Sequence, residues 1–160
     1  MSEIHKAYLC LGSNIRPEIY LPKAIELLRQ HGRVQTISSA WETRAIGSNG
    51  PNYLNACLLL LTPLSANELK EEVIRPIEEI LGRVRNQDKY ASRSIDIDIV
   101  MFDETPHKPE YWDKAFMLIP LTQLNPDLFN PLTQEKLSIT AERIKNQTWI
   151  VEHKGILRAA

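Results

Sequence analysis

The spacing of hydrophobic positions changes period several times along the chain, and each change predicts an element. The run AYLCLG (7–12) is apolar and ends on Gly12-Ser13-Asn14, which predicts a strand leading into a turn. In IYLPKAIELLRQHG (19–32), apolar residues at 21, 24, 25, 27 and 28 keep helical spacing and Gly32 supplies the stop; Pro22 suits a first turn. RVQTISSAWET (33–43) places Val34, Thr36, Ser38 and Ala40 on one parity and reads as a strand, and RAIGSNGPNY (44–53) is a loop by composition. YLNACLLLLT (53–62) is apolar at nearly every position, as in a strand buried on both faces.

The segment LSANELKEEVIRPIEEILGR (64–83) opens on a serine suited to capping and is helical through Leu69, Val73, Ile77, Ile80 and Leu81, with Pro76 predicting a kink or a second start. SIDIDIVMF (94–102) alternates as a strand. Beyond it, DETPHKPEYWDKAF is proline-rich and irregular, MLIPLTQLNPDLFN mixes short apolar pieces with prolines, and TWIVEHKG predicts a short terminal strand; Phe116 reads as part of a strand. The order β-α-β-β-α-β predicts an α+β fold, a ferredoxin-like sandwich followed by a mixed C-terminal extension, in a single domain over 1–160.

Composition narrows the function classes. With 160 residues and 43% hydrophobic content the chain can bury a core of its own. A net charge of −1 gives no global basic footprint for nucleic acid. Cys10 and Cys57 lie in apolar runs, which favours buried thiols over a bridge or a metal site. The N-terminus lacks a secretory pattern and ACLLLL is too short to span a bilayer, so a soluble cytoplasmic protein without membrane partners is expected.

The chemistry concentrates in RSIDIDIV (93–100), where Ser94, Asp96, Asp98 and Val100 share one parity and the isoleucines take the other. Side chains two apart on a strand leave the same face about 6.6 Å apart at their bases, so both carboxylates can converge on a hard cation. An isolated D-x-D is also the solvated face of an ordinary strand. The preceding GRVRNQDKYASR brings Arg83, Arg85, Lys89 and Arg93 close in sequence to the acidic pair, which suggests a polyphosphate held between metal and guanidinium groups. No GxxxxGK[ST] or GxGxxG cradle is present, so a nucleotide would bind without one.

The stretch KYASRSIDIDIV (89–100) resembles the signature of the 6-hydroxymethyl-7,8-dihydropterin pyrophosphokinases. LGSN (11–14), SSAWETRAIG (38–47), NYLNA (52–56), GRVR (82–85) and FMLIPL (116–121) resemble further segments of that family in the same order. The resemblance implies a ferredoxin-like α/β/α sandwich and a monomer that moves pyrophosphate from ATP to the hydroxymethyl group of the reduced pterin, releasing AMP, in folate biosynthesis. It implies two Mg²⁺ ions on Asp96 and Asp98, with Arg83 and Arg93 as catalytic phosphate-facing arginines. ATP is expected at Glu78, Arg83, Arg85, Arg93, Ile99 and His107, and the pterin at Thr43, Ala45, Ile46, Tyr53, Asn55 and Phe116.

Departures from the family pattern leave a second reading open. Tyr90 stands where the closing loop carries Trp, Asn86 replaces a commonly basic residue, and Lys114 stands where Arg often precedes the Phe. The interval from His107 to Phe116 is one residue longer than the family pattern. The alternative is a divergent, non-catalytic ferredoxin-like module that binds a nucleotide or a protein partner.

Overall fold

A computed structural model describes residues 3–47, 49–82 and 94–157. Its first half runs β1 (His5–Ser13), α1 (Pro17–Arg29), β2 (Arg33–Ile37), β3 (Ala40–Thr43) and β4 (Tyr53–Thr62). Next come α2 (Ala66–Glu68), a π-helical stretch Leu69–Ile74, α3 (Arg75–Ile80), β5 (Asp96–Phe102) and β6 (Thr105–Pro106). A single 3-10 turn at Pro109–Tyr111, α4 (Ala115–Leu124), α5 (Leu137–Lys145) and β7 (Ile150–His153) complete it.

The strands form one antiparallel sheet in the order β6-β5-β1-β4-β3-β7, with β2 also paired to β4. With β2 and β3 counted as one interrupted strand, the central order is that of a ferredoxin-like split βαβ, as the element order predicted. The interruption corrects the single strand expected over 33–43. At Ser38 the backbone N–H donates to the Cys57 carbonyl at 2.9 Å and the hydroxyl oxygen accepts from the Cys57 N–H at 2.9 Å. The side chain thereby takes over a ladder position, and the chain shifts from the far half of β4 to its near half.

Both sheet faces are covered. On one, Ala7, Leu9, Leu11, Leu58 and Leu60 pack against Leu21, Ile25 and Leu28 of α1 and against Leu69, Val73 and Ile77. On the other, Tyr8, Cys10, Cys57 and Leu59 pack against Trp112 and against Met117, Leu118 and Leu121 of α4. This two-sided burial is why β4 reads as an unbroken apolar run. Each leucine fully removed from water contributes about 1.5–3 kcal/mol before the entropy of ordering is charged against it.

Local rules account for the helices. Ser65 and Glu68 form a reciprocal capping box, Ser65 Oγ accepting from the Glu68 N–H at 3.1 Å and Glu68 Oε1 from the Ser65 N–H at 2.9 Å. Pro76 lies in the first turn of α3, directly after the π-helical stretch, where the wider turn takes up its missing N–H and the bulk of its ring. Pro22 is not in the first turn of α1, which begins at Pro17.

Two helices replace the irregular tail. Phe116 lies in the first turn of α4 and not on a strand, and α5 follows a turn region. Met117 to Leu121 are all buried because α4 is enclosed between the sheet and α5, so it carries no amphipathic stripe.

At the α1–β2 turn, a Cβ on Gly32 would sit 2.7 Å from the backbone oxygen of Leu61 and 3.0 Å from Leu60 Cδ1. Gly32→Ala is therefore expected to lower unfolding stability by about 1–3 kcal/mol with turnover per folded molecule unchanged, measured by urea denaturation and by a rate assay on the same preparation.

Candidate active site

Strand register builds the site. Cys10 of β1 is flanked by Asp98 on β5 and Cys57 on β4, and one step along, Gly12 is flanked by Asp96 and Asn55. Asn55 is in turn opposite Trp41, and Tyr53 opposite Thr43, on β3. Because strand side chains alternate, Asp96, Asp98, Asn55 and Tyr53 emerge on the same sheet face. Gly12 keeps the space between Asp96 and Asn55 open: a Cβ there would meet Asn55 Oδ1 at 3.3 Å.

Two hollows meet at this row. The first, of about 550 Å³, is walled by Gly12, Thr43, Ile46, Tyr53, Asn55 and Phe116, among others. The second, of about 520 Å³, lies toward the capping-box helix and is walled by Asn67, Lys70, Arg75, Glu78, Ile99 and His107, among others. Asp96, Asp98 and Lys108 line both.

The first hollow holds an amide in one orientation. Asn55 Nδ2 donates to the Trp41 carbonyl at 3.0 Å and to Thr43 Oγ1 at 2.9 Å. A backbone carbonyl only accepts, so the nitrogen must face it and Oδ1 is left on the Gly12 side. Phe116 meets Tyr111 edge to face at 5.1 Å, which fixes one aromatic wall. Arg44 stacks over the Trp149 ring at 5.0 Å and reaches the mouth beside Ile46. Ala45 lies between these two, outside the lining.

The Asp pair is electrostatically loaded. Burial of Asp98, and next the negative charge of Asp96, push the Asp98 carboxyl up to about 7. Lys108 Nζ, 3.4 Å from Asp98 Oδ1, opposes that rise only in part. The Tyr111 hydroxyl donates to Asp98 Oδ2 at 3.4 Å, and burial followed by the Asp98 and Asp96 charges holds its phenol far above its ordinary range.

In the second hollow, Glu78 is buried, not an exposed helix acid, and its Oε2 accepts the Ile97 N–H at 3.0 Å, tying α3 to β5 beside the Asp pair. His107 is fixed through its backbone: its N–H donates to the Val100 carbonyl at 2.8 Å and its carbonyl accepts from Trp112 Nε1 at 2.8 Å.

The structure thus brings together Asp96 and Asp98 at the centre, Thr43, Ile46, Tyr53, Asn55 and Phe116 on one side, and Glu78, Ile99 and His107 on the other. Arg83, Arg85 and Arg93, with Asn86, Lys89 and Tyr90, lie outside the described residues. Sequence reasoning missed Gly12 as a spacer and Lys108, Glu110 and Tyr111 as wall residues. The extra residue between His107 and Phe116 was the available signal for that wall.

The donor set fits magnesium. Two carboxylates share one face, and the Asp98 carboxyl is raised by burial first and by the Asp96 charge second, both of which a cation would offset. Among the described residues no third His, Cys, Asp or Glu joins them, so the remaining oxygens must come from water and substrate, which is the usual preference of Mg²⁺.

A model of the 7,8-dihydro-6-hydroxymethylpterin-pyrophosphokinase (HPPK) family matches residues 8–126. The 2-amino-4-hydroxy-6-hydroxymethyldihydropteridine pyrophosphokinase of Aquifex aeolicus is 33% identical over 141 residues, covering 81% of this chain and 86% of its own length. The protein of the same name from Synechocystis sp. is 31% identical over 154 residues, covering 89% of this chain and 77% of its own. Among solved structures, an HPPK-DHPS triple mutant of Plasmodium falciparum superposes with a TM-score of 0.71 at 12% identity, over 91% of this chain. This chain spans 45% of that larger one, and the likeness supports the fold. With the family's matched segment running through β1, β4 and the Asp96–Asp98 strand, the chain belongs to the 7,8-dihydro-6-hydroxymethylpterin-pyrophosphokinase family.

Proposed function

We propose that the chain transfers pyrophosphate from ATP to 6-hydroxymethyl-7,8-dihydropterin, with the pterin in the Asn55 hollow and ATP in the Glu78 hollow. The observation that carries this is the shared wall: two cavities of substrate size have Asp96, Asp98 and Lys108 in common. A transfer between two substrates needs them to meet at one charged point, and this arrangement supplies it.

Asn55 presents an acceptor toward the pterin edge while Phe116 and Tyr53 offer ring faces. These contacts set the hydroxymethyl group beside the Asp pair. The hydroxyl oxygen attacks the β-phosphorus of ATP, the bond from that phosphorus to the α–β bridging oxygen breaks, AMP leaves with that oxygen, and the hydroxyl proton is released. Asp96 and Asp98 would hold magnesium, as two ions in this proposal, and the metal would supply charge neutralisation along the triphosphate. Arg83 and Arg93 are proposed to face the same phosphates, with Arg85, Ile99 and His107 completing the nucleotide side. The protein acts as a monomer in this reading.

The test is product identity. Chain, ATP, Mg²⁺ and hydroxymethyldihydropterin are expected to give one AMP per pterin consumed. ADP as the nucleotide product, or nucleotide binding with no affinity for pterin, would overturn the proposal and favour a non-catalytic module.

A further inference from the structure

Lys108 is the one cation that lines both hollows and touches the carboxylate pair among the described residues, and the scheme above gives it no task. It opens the turn into Pro109–Tyr111 with a left-handed backbone, φ 53°, a conformation that disfavours any residue bearing a Cβ. Its ammonium lies 3.4 Å from Asp98 Oδ1 and 5.9 Å from the centre of the Tyr111 ring. The side chain is 42% exposed while that of Asp98 is 16% exposed, so the acid is held in place and the lysine is free to swing on its four-carbon stem.

An ordinary half-exposed ion pair contributes little. This one differs in its anion, which shares a buried site with a second carboxylate. One ammonium carries a single charge, and a divalent cation held by Asp96 and Asp98 would compete with it for Asp98. An ammonium displaced in this way would remain where the two hollows join, on the path between the proposed substrates.

Resting on the pyrophosphoryl-transfer reading, we infer that Lys108 is a catalytic residue that exchanges one anion for another. It occupies Asp98 in the metal-free protein and moves onto the pyrophosphoryl group once the cation is bound. There it offsets the negative charge that builds on the bridging oxygen as AMP departs. Its place at the junction of the hollows suits that exchange better than a purely structural tether, since the β5 backbone is already anchored by the Glu78 carboxylate at the Ile97 N–H and by the His107 N–H at the Val100 carbonyl.

Lys108→Met keeps the Cβ and the stem volume, so the left-handed backbone is under the same strain, and Lys108→Arg keeps the charge. Mn²⁺ titrated into metal-free protein without nucleotide, followed by electron paramagnetic resonance, is expected to bind Lys108→Met roughly tenfold more tightly than the unmodified chain, because its competitor is gone. Turnover at saturating substrates is expected to fall about 100-fold in Lys108→Met and to recover in part in Lys108→Arg. Unchanged manganese affinity would overturn the exchange, and unchanged turnover would overturn the catalytic role. Absence of AMP from the unmodified chain would instead count against the reaction itself, while the manganese titration still decides whether Lys108 competes with the cation.

Discussion

Asp98→Asn is expected to lower AMP formation at least about 100-fold while making the metal-free protein more heat-stable at pH 8. Both effects come from one carboxylate. Its folded-state pKa, raised to about 7, lies above the roughly 3.9 of an unfolded chain. Between those values the folded form binds more protons than the unfolded one, so stability falls as pH rises through that window. Above pH 7 the full cost of ionising Asp98 is present. Asparagine has no such cost, so the variant melts higher there, and the difference closes as pH drops toward 4. Added Mg²⁺ should raise the melting temperature of the unmodified chain more than that of the variant. Melting curves in chelator and in magnesium, across pH 5 to 9, check the signs. A variant that melts lower at every pH, or turns over within threefold of normal, would show that the pair is structural.

The second large effect is expected at Trp112. Its ring is fully buried against the α4 side of the sheet, its indole N–H donates to the His107 carbonyl, and its own carbonyl accepts from Asn130 Nδ2 at 2.9 Å. Trp112→Ala should lower unfolding stability by about 3–5 kcal/mol through lost burial and the cavity left behind. Trp112→Phe keeps most of the ring but strands the His107 carbonyl, and should cost about 1–3 kcal/mol. Because the bond spans the turn that carries Lys108 and Tyr111, the Phe variant should also lose turnover while remaining folded at assay temperature. Urea denaturation and rates on both variants separate the two roles. Full turnover in Trp112→Phe would show that the turn is positioned without the indole.

How much of this was legible depended on whether a residue sits in a periodic segment. β4 and β5 were readable because one carries apolar residues on both parities and the other alternates without error, so spacing alone assigns the Asp pair a face. Asn55 and Tyr53 share that clarity, being two apart on β4. α4 was not readable: enclosed on both sides, it has no polar stripe, and Pro120 within it suggested an interruption. The Lys108–Tyr111 wall was missed for a different reason. Its backbone is set by prolines, a left-handed residue and the Trp112 tether, none of which leaves a period in the sequence. Ser38 likewise looked like a strand residue, because a hydroxyl that substitutes for a ladder bond does not alter the alternation of side chains.

The two-residue strand β6 has a consequence for how the molecule behaves in a crowded solution. It covers the Met101–Phe102 end of β5 at the margin of the sheet, where an open edge would offer unpaired amides to any passing extended chain. Pro106 has no amide hydrogen to offer, the His107 N–H is still held by the Val100 carbonyl, and the chain turns away at Lys108. The segment that walls the Asp98 hollow therefore also shields that end of the margin from templating aggregation. Shortening the segment between Pro106 and Phe116 would put solubility, and not only activity, at stake.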